Sequence, residues 1–370
     1  DDEGDTSTTT VQEFYQHVET AAGIRVGELG DAVTSLIKLL TLLRDHPILA
    51  KVTNTALYTG RVKFAMRGLK YDCNSWLRRT KWTNEKALSV PFQVACSTLM
   101  EAEPASLEQA LKRTLSPRPV EGCQWSGNYE EVVVSVDEKY VPSHDGKKNE
   151  EWQNTRQLSI RALPPFWLVH VDHFASIDGR VQSQQRSCGI PLRLDAATLC
   201  QLDNSADQEY RLVGAILHLS NQDARKEEEE DGHYVSIVKS DEFSSEEWVL
   251  VDDSSTTLVT EETCLNLLAG CETNLSENGT FMQACLLVYE NVKASTVIEP
   301  MIQDLWGQVE EARQQGKAVI GRRLKVLWGK GRFYEGVVAS FDHRTGKHVI
   351  RYDDGDVRSY NLSKKTIEWL

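Results

Sequence analysis

Apolar residues recur every three or four positions in the first part of the chain, which is the spacing of one helix face. One such run covers residues 29–43 and ends before Pro47, because proline cannot continue a helix. A shorter run covers residues 106–115; Ser106 can cap its start, and Pro117 follows its end. The pattern therefore predicts two helices in this part of the chain.

The pattern changes to that of strands from Leu163 onward. Five segments are rich in β-branched and aromatic residues and are bounded by polar turns: FWLVHVDHF, YRLVGAILHL, HYVSIV, EWVLVDD and FMQACLLVYE. Several are apolar on both faces, which is typical of a sheet that is covered on each side. The acidic segment RKEEEEDG at 225–232 interrupts the series and is expected to be a solvated insertion.

The last part of the chain combines a helix with a dense series of short strands. One apolar helical face extends from Ile298 to Ala312, with Pro300 near its start and Gly316 at its end. From Gly321 four strand-like segments follow in quick succession: LKVLW, FYEGVVASFD, KHVIRYDD and VRSYNL. About fifty residues of strands with tight turns predict a small closed barrel.

Charge also distinguishes about the last fifty residues from the rest of the chain. Residues 320–370 hold 11 Lys and Arg against 6 Asp and Glu, a balance of +5. Since the whole chain carries −14, the remainder carries −19. An acidic body with a basic tail suggests two different partners, although solubility alone explains such charge equally well. No apolar run of about 18 residues exists, so a membrane span and a membrane partner are not expected.

The eight cysteines form no CxxC pair and no dense framework, which favours a reducing compartment with buried thiols. Cys73 and Cys123 are isolated from any paired cysteine, and two thiolates alone leave zinc under-coordinated. We therefore expect neither a metal nor a cofactor.

The segments DGHYVSIVK and EEWVLVDD carry the candidate chemistry, because His233 opens one strand and Asp252 ends the next. Neighbouring strands would place an imidazole beside a carboxylate, as nucleophilic catalysis requires. The carboxylate fixes the histidine tautomer, and the imidazolium lowers the pKa of a nearby thiol. A lone histidine beside a tyrosine at a strand start is, however, more often structural, so spacing alone leaves this open.

This stretch resembles the histidine box of ubiquitin-specific proteases: a Y-x-L-x-x-x-x-x-H segment, then G-H-Y, then Trp closely followed by Asp. Upstream, LPPFWLVH followed by His173-Phe174 is similar to the family's leucine-proline strand, with His173 where the family has arginine. Tyr58-Thr59-Gly60 resembles its F-x-G segment, and GELGDAVTSLIKLL resembles its Q-D-A-x-E helix, of which Asp31-Ala32 remains. The resemblance covers about residues 27–291.

The resemblance implies that His233 is the general base and Asp252 its orienting carboxylate, with Asp253 as a substitute or oxyanion helper. The family's nucleophile lies in an N-x-C-Y-x-N-S box before the F-x-G segment, but none of the 57 residues before Tyr58 is cysteine. We therefore expect the nucleophilic cysteine upstream of Asp1. Cys73 follows the F-x-G segment and is not expected to replace it.

The tail, with its W-x(n)-F-Y-x-G-x-V and Y-D-D-G-D motifs, resembles Tudor domains. In that family an aromatic cage holds a methylated lysine or arginine against the negative faces of the rings. The matching positions are Trp328, Tyr334 and Tyr352, with Asp354 as a nearby acid. Barrels of this shape also use their aromatic residues only as core, and this alternative stays open.

Together these readings predict an α+β fold: a papain-like ubiquitin-specific protease body, with palm, fingers and an incomplete thumb, plus a small all-β Tudor barrel. The expected divisions are a disordered acidic tail with the start of a helical region, the protease-like domain, a helical linker and the barrel, at 1–26, 27–291, 292–319 and 320–370.

The expected function is that of a thiol-dependent deubiquitinase, a hydrolase that removes ubiquitin from protein conjugates. The alternative is an inactive ubiquitin-binding scaffold that reads methylated lysine or arginine; a third reading joins a Tudor domain to an unrelated α+β domain. The implied partners are ubiquitin and ubiquitinated proteins, a methylated histone tail or other methylated protein, and weakly bound nucleic acid. The implied location is nuclear or cytoplasmic.

Overall fold

The structure is a computed structural model. It describes residues 31–46, 49–72, 75–95, 105–121, 125, 128–134, 153–177, 180–183, 187–199, 209–221, 233–240, 247–273, 280–328, 331–342 and 345–370. The predictions for residues 1–26, for the acidic segment 225–232, and for Cys73 and Cys123 lie outside these ranges. The chain forms two compact units, Asp1–Ser295 and Thr296–Leu370.

The described helices are α1 (Ala32–Asp45), α2 (Ala50–Leu57), α3 (Leu107–Leu115), α4 (Ala196–Leu199), α5 (Glu261–Ala269) and α6 (Ala294–Ala318). Capping defines where the two predicted N-terminal helices begin. The Asp31 carboxylate accepts a hydrogen bond from the Thr34 amide at 2.6 Å, so α1 begins at Ala32. The Ser106 hydroxyl accepts one from the Gln109 amide at 3.2 Å, which confirms the predicted start of α3.

Strands make up most of the fold, which is mixed α and β. In the first unit the strands are β1 (Arg61–Asp72), β2 (Ser75–Trp82), β3 (Lys86–Ala87), β4 (Phe92–Ala95), β5 (Ala105–Ser106), β6 (Arg118–Pro119), β7 (Glu130–Val134), β8 (Gln153–Ala162), β9 (Phe166–Asp172), β10 (Phe174–Ile177), β11 (Arg180–Ser183), β12 (Cys188–Gly189), β13 (Arg193–Asp195), β14 (Glu209–Asn221), β15 (His233–Lys239), β16 (Glu247–Asp252), β17 (Ser255–Thr260), β18 (Cys271–Thr273) and β19 (Thr280–Asn291). No described helix is both long and apolar enough to span a bilayer.

A nine-stranded sheet carries the five predicted strands of the first unit. Its main order is β17-β16-β15-β14-β19-β9-β4, and β13 and β18 join it on β14 and β19. Its neighbouring strands are antiparallel except for β4 and β9. The buried face packs large side chains that are under 2% exposed, among them Trp167, Trp248 and Tyr289. A second sheet of six strands has the order β6-β8-β1-β2-β7, with β3 on β1.

The second unit contains a five-stranded antiparallel sheet in the order β23-β22-β21-β20-β24. Its strands are β20 (Arg323–Trp328), β21 (Arg332–Asp342), β22 (Lys347–Tyr352), β23 (Val357–Tyr360) and β24 (Ile367–Trp369). The first four match the four predicted segments, and β24 follows them. The core of this sheet consists of Leu324, Val326, Val338, Ile350, Tyr352 and Leu362.

The prediction that the last long helix ends at Gly316 is wrong, because α6 continues to Ala318. Gly316 instead permits a close approach. A Cβ atom at this position would lie 2.4 Å from the Phe341 ring of β21. The His348 imidazole donates a hydrogen bond from Nε2 to the Gly316 carbonyl at 3.0 Å. The absence of a side chain therefore lets β21 and β22 pack directly against the helix backbone.

Candidate functional site

His233 and Asp252 are brought together by two adjacent strands of the large sheet. The register of β15 and β16 pairs Ser236 with Val251, so the start of β15 lies beside the end of β16. His233 Nε2 and Asp252 Oδ1 are 2.6 Å apart. Each side chain is 45% exposed, so the pair is accessible from solvent.

Strand alternation explains why the two side chains share one face. His233 lies two residues before the buried Val235, and Asp252 lies four residues after the buried Trp248. Since side chains alternate along a strand, all four point to the core face of the sheet. The pair therefore sits where the apolar core meets solvent.

The hydrogen bond assigns different tasks to the two ring nitrogens of His233. A carboxylate only accepts hydrogen bonds, so Nε2 carries the proton that is shared with Asp252. This leaves Nδ1 as the nitrogen that can take a proton from an incoming group. The carboxylate also favours the positive charge that such a transfer creates on the ring.

Asp253 completes a cluster of three groups that can bind a proton or a cation. It occupies the two-residue turn between β16 and β17 and has a φ of 49°. One ligand atom from each of His233, Asp252 and Asp253 lies within 4.8 Å of the others. Positive φ is uncommon for residues other than glycine, although aspartate tolerates it better than most.

Three of the cysteines that the structure describes have a raised pKa, which disfavours the thiolate that a nucleophile requires. Burial raises the pKa of Cys264 and of Cys285 to about 12, and it also raises the pKa of Cys271. Cys188 is buried, at 2% exposure. Within the described ranges, the side-chain hydrogen bond of His233 goes to Asp252 and to no cysteine.

A model of the family described as "Ubiquitin carboxyl-terminal hydrolase" matches residues 59–289 of the chain. That range contains His233, Asp252 and Asp253. The chain belongs to the ubiquitin carboxyl-terminal hydrolase family. The reading of the first unit as an unrelated α+β domain is therefore wrong.

Two other relatives share short stretches with this chain. "Sister chromatid cohesion protein PDS5 homolog A" of Arabidopsis thaliana is 49% identical over 53 residues, which is 14% of this chain and 3% of that protein. "DNA mismatch repair protein MSH6" of the same organism is 38% identical over 56 residues, 15% of this chain and 4% of that protein. The chain thus spans a very small part of either relative.

A solved chain of the "SAGA DUB module" with Ubp8, Sgf11, Sus1 and Sgf73 bound to monoubiquitin is also similar. The identity is 14% and the TM-score is 0.42, and the match covers 69% of this chain and 46% of that one.

The face of the sheet opposite the dyad holds a second group of polar residues that the sequence did not mark as a cluster. Tyr234 points away from His233, and its ring lies 4.9 Å from that of His218. Burial and the Asp31 carboxylate raise the pKa of Tyr234 to about 12. Neighbouring side chains in a strand point to opposite faces of the sheet, so the sequence alone could have placed Tyr234 on the face opposite His233.

His173, which stands where the resemblance expects arginine, is buried. It is 6% exposed, and its Nε2 lies 2.7 Å from the Ala284 carbonyl, to which it donates. Burial lowers the pKa of His173 below its ordinary value. The residue is therefore a neutral hydrogen-bond donor within the sheet.

The three predicted cage rings lie together in the second unit. The Trp328 ring centroid is 4.8 Å from that of Tyr334 and 5.2 Å from that of Tyr352. Trp328 and Tyr334 are half-buried, whereas Tyr352 is 3% exposed and its hydroxyl accepts from the Trp328 indole at 3.0 Å. Asp354 is exposed, and its carboxylate accepts from the Asp356 amide.

Arg358 is a further residue at these rings that the sequence did not reveal. Its guanidinium carbon lies 5.5 Å from the Trp328 ring centroid, within the range of a cation–π contact. The Asp356 carboxylate holds the same guanidinium, with Nε and Oδ2 2.9 Å apart. A cation from the chain itself thus lies against the ring that a methylated cation would need.

Proposed function

We propose that this chain is the histidine- and aspartate-bearing part of a thiol-dependent deubiquitinase, whose nucleophilic cysteine lies upstream of Asp1. The observation that carries the proposal is the 2.6 Å contact between His233 and Asp252 in a member of the hydrolase family. Ubiquitin and ubiquitinated proteins are the proposed partners, in the nucleus or the cytoplasm.

In the proposed reaction His233 Nδ1 takes the thiol proton, and Asp252 stabilises the resulting imidazolium. The thiolate attacks the carbonyl carbon of the bond between ubiquitin and a lysine. The imidazolium returns the proton to the departing lysine amine, which leaves a thioester. Water, deprotonated by His233, then hydrolyses the thioester and releases both the ubiquitin carboxylate and the thiol. Asp253 is the proposed substitute for Asp252.

The test is the hydrolysis of a fluorogenic ubiquitin substrate by the full-length protein. We expect His233→Ala to abolish turnover and Asp252→Asn to lower kcat by about 10²–10⁴, the scale of an impaired general base. Glu247→Gln, at the other end of β16, is the control and should retain activity. An enzyme that carries both Asp252→Asn and Asp253→Asn and keeps its kcat contradicts the assigned role, whereas unchanged kcat in Asp252→Asn alone assigns that role to Asp253.

The 370-residue chain by itself should not react with a ubiquitin probe that traps active cysteines, because none of its described cysteines is hydrogen-bonded to His233. An adduct on any of its eight cysteines that disappears in His233→Ala would place the nucleophile inside this chain.

The second candidate function, which the ring cluster favours, is recognition of a methylated lysine or arginine by the second unit. We propose Trp328, Tyr334 and Tyr352 as the aromatic surface and Asp354 as an added negative charge. The Tudor-like barrel and its methylated ligand, such as a histone tail, are part of this proposal. The +5 balance of residues 320–370 adds a proposed weak, salt-dependent contact with nucleic acid.

Arg358 gives this proposal a specific prediction. Since its guanidinium lies against Trp328, a methylated cation must displace it. We expect Arg358→Gln to tighten the binding of a trimethyllysine histone peptide, and Trp328→Ala to weaken it by about 1–2 kcal/mol, the scale of a desolvated cation–π contact.

Peptide titration onto the full chain measures both effects, with Arg351→Gln on β22 as the control. If the unmodified peptide binds as well as the methylated one to every variant, the rings are core and the reader proposal fails.

A further inference from the structure

The two outer edges of the nine-stranded sheet differ in how they are covered. At one edge, β4 buries Phe92 and Val94, which are 4% and 0% exposed. At the other edge, β17 pairs with β16 alone among the described strands. Five of the six residues of β17 are exposed, and Leu258 is 53% exposed. One edge is therefore closed by packing, whereas the other has no further strand beside it among the described residues.

Strand β17 lacks the features that usually prevent pairing at an open edge. Its sequence, Ser-Thr-Thr-Leu-Val-Thr, contains no charge and no proline. Its register with β16 runs without a bulge from Asp252 opposite Ser255 to Glu247 opposite Thr260. Edge strands that must stay unpaired commonly carry a lysine, a proline or a bulge. Its three threonines and its valine also favour the extended conformation.

The hairpin geometry decides which backbone groups are available. In a two-residue hairpin the closing pair, here Asp252 and Ser255, exchanges hydrogen bonds between the strands. Backbone groups alternate along a strand, so the amides of Thr256, Leu258 and Thr260 and the carbonyls of Thr256 and Leu258 point away from β16. The Thr260 carbonyl belongs to the first turn of α5, because Thr260 caps that helix. An added antiparallel or parallel strand would find three donors and two acceptors along this edge.

Carboxylates flank this edge at both ends. Asp252 and Asp253 precede β17, and Glu261 and Glu262 follow it in the first turn of α5. Asp252 bonds His233, whereas the other three form no ion pair with a described residue. A second copy paired antiparallel around a two-fold axis would bring the end that carries Asp252 and Asp253 beside the end of its partner that carries Glu261 and Glu262, and like charges oppose that arrangement.

We propose that the open edge of β17 is a docking strand for an extended segment of a partner protein, with an uncharged, β-branched centre and lysine or arginine at both ends. Main-chain hydrogen bonds supply the attachment, and the flanking carboxylates select the basic ends. Strand β17 would lie between the bound segment and Asp252, so the segment would not contact the dyad. This inference holds whether or not the dyad is catalytic.

The test uses the full chain and the fluorescent peptide Lys-Arg-Thr-Val-Thr-Val-Thr-Arg-Lys. A matched peptide has Glu and Asp at its ends, and a third is N-methylated at alternate residues so that one of its edges cannot pair. We expect the basic peptide to bind at least about tenfold more tightly than either control in low salt, since charge and backbone pairing act together.

Two variants test the backbone edge of β17 and the flanking carboxylates separately. Leu258→Pro removes an outward amide without removing a bond to β16 and should lower affinity at least about tenfold. Glu261→Gln combined with Glu262→Gln should weaken binding of the basic peptide and should reduce the difference in affinity between the basic and the acidic peptide. Glu299→Gln on α6 is the charge control and should change the affinity of neither peptide. Thermal melting checks that each variant is folded, and the glutamine variant keeps the test decisive if the proline variant unfolds.

Three outcomes would overturn the inference. The first is equal binding of the basic and acidic peptides, and the second is full binding of the N-methylated peptide. The third is a dimer of the chain that forms without peptide and that Leu258→Pro abolishes, because it would make a second copy the occupant.

Discussion

Asp253 is the one non-glycine residue with positive φ in the part of the chain that the structure describes, and it adjoins the candidate dyad. Such a conformation costs an ordinary side chain about 1–3 kcal/mol and is often found at functional sites. Glycine adopts it without steric cost. The turn between β16 and β17 therefore retains a carboxylate at the expense of stability.

This conformation predicts that Asp253→Gly raises the free energy of unfolding by about 0.5–1 kcal/mol, after allowance for the flexibility of glycine in the unfolded chain. Ser254→Gly, in the same turn but without a positive φ, is the matched control and should lower it. Chemical denaturation measures both. A stabilised Ser254→Gly together with a destabilised Asp253→Gly would show that the Asp253 carboxylate supports the turn.

Within α6, two glycines have different structural roles because their surroundings differ. Gly307 and Gly316 both lie inside this helix, where glycine ordinarily weakens helical structure. A Cβ on Gly307 would meet no atom within 4 Å, whereas a Cβ on Gly316 would meet the Phe341 ring at 2.4 Å. The first position can therefore accept a side chain and the second cannot.

We expect Gly307→Ala to raise the free energy of unfolding of the second unit by about 1 kcal/mol through helix propensity. Gly316→Ala should lower it by roughly 1–3 kcal/mol, because the added methyl group forces Phe341 aside. Thermal melts of the two variants side by side measure the contrast. Equal stabilisation by both alanines would mean that α6 and Phe341 do not pack as described.

At the scale of the whole molecule, buried histidines make stability depend on pH. His173 has a pKa below its ordinary value of 6.5 because of burial. The Ala284 carbonyl and Asp172 oppose this shift, while His170 and His218 reinforce it. The pKa of His170 is lowered in the same direction. The unfolded chain therefore binds these protons at a higher pH than the folded chain does.

The free energy of unfolding should consequently fall as the pH drops below about 6.5, by up to about 1.4 kcal/mol per pH unit for each histidine. His173→Gln keeps a donor for the Ala284 carbonyl and removes the titration, so it should reduce the loss. Melting temperatures at about pH 7.5 and about pH 5.5 test this. An unchanged pH dependence in His173→Gln would assign the acid sensitivity to other groups.

Local chemistry in the sequence was enough to predict several features. Ser106 marks the start of α3 because its hydroxyl caps the helix, and runs of β-branched and aromatic residues between polar turns mark β9, β14, β15, β16 and β19. The positions of His233 at the start of one strand and Asp252 at the end of the next were sufficient to suggest that they meet. These features depend on residues close together in the chain and on the two-residue period of a strand.

Other features were decided only by the tertiary structure, because they depend on contacts between distant segments. The sequence pattern places the helix end at Gly316, whereas the structure shows that Gly316 makes room for the Phe341 ring. Arg358 meets Trp328 because β23 lies beside β22, and β17 is an edge strand because the sheet order pairs it with β16 alone among the described strands. Composition and periodicity specify which residues prefer a helix, a strand or burial. Which strand is left unpaired, and which cation meets which ring, follows from the order and twist of strands that are far apart in sequence.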